Sequence, residues 1–406
     1  MRNCPICLSK SIELKEIIPI SAYLDYPING PYILTKCNDC SFYYHNTNIT
    51  QEEIDKYYIG LSKYENAQTV SIGSGGLTSL DKKRLNKTFE NITSIGVDLT
   101  SKILDIGCAA GGLLEIFKSN GYENIYGSDP SAFCASYVRS SLGCTVYDGS
   151  FLEVKIEEKF DLIILTHVLE HILDIREFIK KIRSLLTTDG VVYIECPDST
   201  NYHTVIHAPY QELNTEHINH FSTSDFENIA SQLNLQFLKG GLIQFLMENG
   251  LDYYANWAIL KNQTKQIFLP LVKSLERDYS MREYLEQSNT MFKRFHLFFS
   301  NYKSRKILLL GIGQLSFKLI PILHQLNFEV EIFDNDQRNW GKKIGDLTVK
   351  KGEVILDRYD DSYAILISSM ISFTKIQEGL YNLFTTHGKT APQIISLKKV
   401  FTTDYE

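Results

Sequence analysis

The chain has 406 residues, enough for two or three domains that each bury a core, and its 44% hydrophobic and 22% charged residues are those of a soluble globular protein. A formal net charge of −7 with no Lys/Arg block argues against a dedicated nucleic-acid binder, which needs a basic face against phosphate. No apolar run approaches the roughly 18 residues of a membrane span, and "MRNCPICLSK" lacks the apolar core of a signal peptide; the expectation is a cytoplasmic protein whose eight cysteines are thiols rather than disulfides.

In chain order, the first 45 residues hold paired cysteines and short β-like stretches, and residues 51–95 read as connecting helices around the Gly/Ser-rich "SIGSGG" at 71–76. From Lys102 the pattern alternates: "KILDIG" is a strand ending in a glycine loop, and "GLLEIFKSNG" a helix stopped by Gly121. "NIYGSD", "FDLIILT" and "GVVYIECP" read as further strands, and "IREFIKKIRSLL" has helical apolar spacing. This is the rhythm of a doubly wound parallel sheet. Residues 196–222 break it with a long polar insertion at the strand edge where ligands bind in such sheets. Residues 251–300 read as a helical linker. "RKILLLGIGQLSFKLIPIL" (305–323) then opens a second strand, glycine loop and helix, and "FEVEIFDND", "YAILISS" and "PQIISL" supply later strands. The predicted architecture is therefore two α/β domains preceded by a small cysteine module: the cysteine module with its connecting segment (1–75), a doubly wound domain (76–250), the helical linker (251–300) and a Rossmann-like C-terminal domain (301–406).

Cys4, Cys7, Cys37 and Cys40 form two CxxC knuckles with 29 residues between them. Each knuckle presents two thiolates to one tetrahedral ion, so a closed, structural zinc site is expected. A redox CxxC would not need a second copy. Cys108, Cys134, Cys144 and Cys196 lack partner spacing and read as core or loop thiols.

In "ILDIGCAAGG" (103–112) Asp105 precedes the loop Gly107–Gly111, and the next strand ends in Asp129, 22 positions after Gly107. Small residues allow close backbone approach, and the second acid suits ribose hydroxyls. NAD is possible on these grounds, but GxxxGG is not the GxGxxG of a dinucleotide loop. An acid before the loop suits a cationic ligand better than a pyrophosphate.

"LDIGCAAGG", "GSDPS", "YDGSF" and "FDLIILTHVLEHI" together resemble the class I S-adenosylmethionine-dependent methyltransferases. The resemblance implies that Asp105, Gly107 and Gly111 frame the methionine part of the donor. Asp129 would hold the ribose, Gly149 and Ser150 would lie near the adenine, and Thr166 and His167 would line the pocket. The whole chain resembles the sugar C-methyltransferases, which carry a Cys4 zinc module, a methyltransferase domain and a Rossmann-like domain in this order. They methylate the carbon next to the ketone of a 4-keto sugar nucleotide. His171 in "LEHI" and Glu216-His217 in "NTEHINHF" (214–221) match their active-site signatures. Where that family usually has a tyrosine two residues before the glutamate, this chain has Asn214, and the family's upstream tyrosine/serine motif is not recognisable in "KYENAQTVSIGSGG".

The expected roles are His217 as general base, Glu216 as its orienter or an acceptor ligand, and His171 as oxyanion stabiliser. His220, beside Phe221, reads as a packing histidine, and Ser222 as a helix cap. Glu-His-x-x-His does not match the His-Glu-x-x-His of zincin helices, so no metal is expected at "NTEHINHF". The expected ligands are S-adenosylmethionine, structural zinc and a small-molecule acceptor, a nucleotide sugar. No nucleic acid or membrane is expected, and the chain would be a monomer or homodimer. O- or N-methylation of a surface-glycan precursor fits the same motifs. A dehydrogenase acting through the loop Gly311-Ile-Gly313-Gln-Leu-Ser316 with Asp334, and a zinc-ribbon scaffold without a donor site, are the rivals of other classes.

Overall fold

The computed structural model describes residues 2–60, 79–246, 252–263 and 269–403. The "SIGSGG" segment and the stretch around it lie outside these residues. Strands β1 (Ile12–Ile18), β2 (Tyr32–Cys37) and β3 (Tyr43–His45) are followed by helices α1 (Gln51–Gly60) and α2 (Ser79–Thr93). The expected alternation then runs as β4 (Ile103–Ile106), α3 (Gly112–Ser119), β5 (Ile125–Asp129), α4 (Ala132–Leu142), β6 (Thr145–Asp148), β7 (Phe160–Thr166), α5 (Ile175–Leu185) and β8 (Leu186–Pro197). It continues with β9 (Asn219–His220), α6 (Thr223–Gln232), β10 (Leu235–Leu246) and β11 (Asp252–Asn262).

The central sheet has seven strands in the order β10-β11-β8-β7-β4-β5-β6. The five from β6 to β8 are parallel, and β10 and β11 close one edge as an antiparallel pair. Its strands read as nearly continuous apolar runs because both faces are covered. Leu104, Ile106, Ile163, Leu165, Val192 and Ile194 pack into one core, while Ile103, Leu162, Ile164 and Tyr193 pack into the other. Helix α5 buries Ile175, Phe178, Ile179, Ile182 and Leu185, the i, i+3, i+4, i+7 stripe of its sequence, and Asp174 caps it by accepting the Glu177 amide at 3.0 Å.

The helical reading of residues 251–300 holds only for its second half. Residues 252–262 form β11, whose "ANWAIL" is buried between β8 and β10, and the helix α7 covers Leu275–Ser300. An apolar stretch of this length suits either element. Pairing with two neighbouring strands, a non-local interaction, decides it.

The C-terminal part contains β12 (Lys306–Leu310), α8 (Ser316–Gln325), β13 (Glu329–Asp334), the hairpin β14 (Lys343–Ile344) and β15 (Leu347–Thr348), then β16 (Lys350–Lys351), α9 (Ile355–Arg358), β17 (Tyr363–Ile367), α10 (Phe373–Thr386), β18 (Ile394–Ile395) and α11 (Leu397–Thr402). A parallel sheet in the order β16-β13-β12-β17-β18 makes it Rossmann-like.

By contacts the chain divides into two compact units. One holds residues 1–14, 35–201 and 216–278; the other holds 15–34, 202–215 and 279–406. The four knuckle cysteines thus belong to the same unit as the central sheet.

Candidate active site

The parallel strands β4, β5 and β7 end at one edge of the sheet, and the expected donor residues lie on the loops that leave them. Gly107 and Gly111 adopt φ of +76° and +78°, the left-handed region that glycine enters without a Cβ penalty. A Cβ on Gly107 would lie 2.5 Å from Val168 Cγ2, so the glycine loop and the turn after β7 touch through the space a side chain would fill. The Asp129 carboxylate accepts the Ala109 amide at 2.8 Å and the Ser131 amide at 2.9 Å, and so ties the glycine loop to the end of β5. Gly149 donates its amide to the Asp129 carbonyl at 3.2 Å. Ser150 donates its hydroxyl to Asp55 on α1. Asp105 is buried, and its Oδ1 has no hydrogen-bond partner among the described residues. Burial and the nearby Asp129 carboxylate push its pKa up to about 8. A buried acid left without a donor at the mouth of a glycine loop is suited to a cationic ligand group.

Thr166 ends β7 and is half-buried. His167 follows at φ +56°, a conformation rare outside glycine, with its amide bonded to the Glu195 carbonyl at 2.8 Å. Its ring joins a buried charge network. Nδ1 lies 3.2 Å from Glu170 Oε1, Nε2 lies 3.4 Å from Glu195 Oε1, and the Tyr253 hydroxyl lies 2.8 Å from Nε2. Glu195 also accepts from Arg84 at 3.2 Å and from Thr88 and Tyr193 at 2.8 Å each. Burial alone would raise both glutamates, but the bonds from His167 outweigh it. The neighbouring His171 for Glu170 and the Arg84 guanidinium for Glu195 add to this, and both pKa values fall to about 2. Burial opposes charge on His167, and its bonds to the same glutamates move it upward on balance. His167 is therefore embedded in the protein's own polar network at the end of β7.

His171 ends the short 3₁₀ turn Leu169–His171. Its Nδ1 lies 2.8 Å from the Glu216 carbonyl, which can only accept; Nδ1 therefore carries a proton, and in the neutral ring Nε2 holds the lone pair. The Tyr58 hydroxyl is 2.9 Å from the same nitrogen, and Tyr57 donates to Glu216 Oε1 at 3.1 Å. The rings of His171 and His217 are 5.0 Å apart. The structure thus brings His171, Glu216 and His217 together across 45 positions of sequence. It separates His220, which is fully buried on β9 and driven well below the ordinary imidazole pKa by burial. Ser222 caps α6 in a reciprocal box with Asp225, its amide donating to Asp225 Oδ2 at 2.8 Å.

Sequence reading passed over Glu170, Glu195, Arg84, Tyr253, Tyr57 and Tyr58. Glu195 carried a signal, a lone carboxylate in the apolar run "VVYIEC". Arg84 and Thr88 lie one helical turn apart on α2, and nothing local marks their shared partner 107 to 111 positions away.

At the N-terminus, the sulfurs of Cys4 and Cys40, and those of Cys7 and Cys37, are 3.6 Å apart, and all four ligand atoms lie within 4.8 Å of one another. Four thiolates on a tetrahedral ion with bonds of about 2.3 Å have this spacing. The set can close around one metal ion and leaves no position for a substrate.

Residues 80–239 match a family model described as a methyltransferase domain. A ubiquinone biosynthesis O-methyltransferase of Rhodopseudomonas palustris (strain TIE-1) is 30% identical over 98 residues, 23% of this chain and 38% of that protein. The enzyme of the same name from Bradyrhizobium sp. (strain ORS 278) is 28% identical over 127 residues, 29% of this chain and 48% of that one. The chain thus spans less than half the length of these curated relatives. Among solved structures it is similar to the N-methyltransferase NodS from Bradyrhizobium japonicum WM9 with S-adenosyl-L-homocysteine (TM-score 0.39, 14% identity, 52% of this chain and 97% of that one). It is also similar to magnesium protoporphyrin IX methyltransferase from Synechocystis PCC 6803 (TM-score 0.41, 15% identity, 53% and 100%). With the sheet order and the glycine loop, the family match makes the central part of this chain a class I S-adenosylmethionine-dependent methyltransferase domain.

Proposed function

We propose that the chain methylates a nucleotide-activated 4-keto sugar at the carbon beside its ketone, with His217 as general base. The observation that carries this reading is the pairing of His171 and His217 on loops at the donor edge, with the His171 tautomer set by the Glu216 carbonyl. The donor, when bound, supplies a sulfonium methyl group. Asp105, Gly107 and Gly111 receive its methionine part, Asp129 its ribose, Gly149 and Ser150 its adenine, and Thr166 and His167 border it. His217 removes the acidic proton next to the ketone, which leaves an enolate. The Tyr57-held Glu216 positions the acceptor, and His171 stabilises the developing oxygen charge when its Nε2 is also protonated, with Nδ1–H kept on the Glu216 carbonyl. The new carbon–carbon bond forms as the sulfur–methyl bond breaks, and His217 later returns its proton to solvent. Four cysteines, Cys4, Cys7, Cys37 and Cys40, hold a structural zinc in this reading.

O-methylation is the second reading, favoured by the curated relatives, which are O-methyltransferases, and by Asn214 in place of tyrosine. It uses the same base on a hydroxyl. Deuterium exchange separates the two: wild-type protein in D₂O should exchange the hydrogen beside the ketone of a 4-keto sugar nucleotide, and His217→Ala should not. The variant should still bind S-adenosylhomocysteine while turnover drops on the order of 10²–10⁴-fold. Exchange at the wild-type rate in the variant would place the base elsewhere. Methylation without any exchange in the wild type would favour oxygen or nitrogen as the acceptor atom.

A further inference from the structure

Glu-His-x-x-His holds no local metal motif, but the fold assembles a different set. Glu170, His171 and His217 present one carboxylate oxygen and two ring nitrogens within 4.8 Å of one another. We propose that these three residues form an open site for a divalent transition-metal cation of the zinc or cobalt class. Two imidazoles and a carboxylate leave a fourth position for water or an acceptor oxygen.

Three independent features fit a ligand set. His171 gives its Nδ1 proton to the Glu216 carbonyl, as metal-bound histidines do with the nitrogen facing away from the ion, and in the neutral ring this leaves the Nε2 lone pair available. That nitrogen lies 3.8 Å from Glu170 Oε1, close to the separation of two ligands that share one small ion. Glu170 is 1% exposed, and its Oε2 has no hydrogen-bond partner among the described residues, although Oε1 bonds His167. A buried carboxylate oxygen without a donor costs free energy that a cation would recover.

Occupancy has a consequence that rests on the functional reading above. A cation on His217 takes the lone pair needed for proton transfer, and on Nε2 of His171 it occupies the nitrogen that faces the acceptor oxygen, so metal binding and catalysis compete. Transition-metal ions in excess of the structural zinc therefore inhibit.

The test uses the full chain with its cysteine-bound metal retained. Co²⁺ is titrated by calorimetry and followed by visible absorption. One equivalent should bind with ligand-field bands and no thiolate charge-transfer band. His217→Ala and Glu170→Gln should each weaken it by at least about 100-fold while S-adenosylhomocysteine binding is retained. Added Zn²⁺ should slow methyl transfer, and a chelator too weak to strip the cysteine site should restore it. The absence of such an equivalent, or its unchanged affinity in both variants, would overturn the site; methyl transfer unaffected by a filled site would overturn the competition. Because occupancy is read without turnover, a chain that takes up Co²⁺ here but methylates no keto sugar sinks only the functional reading. A chain that methylates but takes up no such equivalent sinks only the metal site.

Discussion

Two carboxylates beside the glycine loop carry opposite assignments because their surroundings differ. Asp129 accepts two backbone amides, and an anionic carboxylate keeps further lone pairs for ribose hydroxyls. Asp129→Ala should weaken S-adenosylhomocysteine binding by roughly 1.5–3 kcal/mol for each charge-assisted bond lost, measured by calorimetry; an unchanged dissociation constant would refute the placement. Asp105, held at about 8 by burial and by Asp129, is mostly protonated at neutral pH. A cationic donor group beside it favours its ionised form, so binding S-adenosylmethionine at pH 7 should release protons, and affinity should rise as pH climbs toward about 8. Calorimetry in buffers of different ionisation enthalpy reads the proton count directly. Uptake of protons, or none, would show that Asp105 does not meet the cation. These residue types and spacings were legible in the sequence. The direction of each shift was not, because it depends on burial and on partners that converge only in the fold.

At the scale of elements, the loop between β4 and α3 owes its shape to positive φ and to a contact. Gly107→Ala must place a methyl group against Val168 at φ +76°, so either the glycine loop or the turn carrying His167 must move. The expected result is a loss of donor affinity with a fall in melting temperature, read by calorimetry and thermal denaturation; wild-type affinity in that variant would mean the loop does not approach the donor. Helix α2 shows why some buried polar residues escape a sequence reading. Its buried face carries Arg84 and Thr88 among Leu85 and Ile92, and a polar residue on an apolar stripe looks like noise until Glu195 is seen opposite it. β11 makes the same point for secondary structure, since its partner strands, not its composition, made it a strand.

At the scale of the whole molecule, the knuckle cysteines share a core with the central domain. Cys4, Cys37 and Cys40 pack in the cluster that also holds Phe42, Ile172, Ile175 and Phe221. Cys37→Ser should therefore release zinc and also lower the melting temperature of the central domain, because metal binding and local folding are coupled; metal analysis and calorimetric unfolding check both. Gently purified protein without zinc would end that reading. The Rossmann-like part resembles a dinucleotide fold, but its glycine loop is occupied by its own groups. Ile312 gives its amide to Asp334 at 2.8 Å, and Gly313 gives its amide to the Ser316 hydroxyl at 2.7 Å. A pyrophosphate needs such amides unbonded. No useful NAD affinity is expected in a fluorescence titration, and tight binding abolished by Gly313→Arg would revive the dehydrogenase alternative.

The sequence by itself determined what depends on short range. Apolar periodicity marked most of the strands and helices of both sheets, paired CxxC spacing marked the thiolate cluster, and glycines with an acid at the strand end marked the positive-φ loop after β4. Tertiary structure alone decided which distant groups meet: Glu195 with Arg84 and His167, His171 with the Glu216 carbonyl, and Glu170 with His171 and His217. The physical reason is range. Hydrogen bonding along a helix or strand is set by neighbours in the chain, whereas a buried carboxylate is stabilised by whichever donors the folded sheet edge brings within about 3 Å.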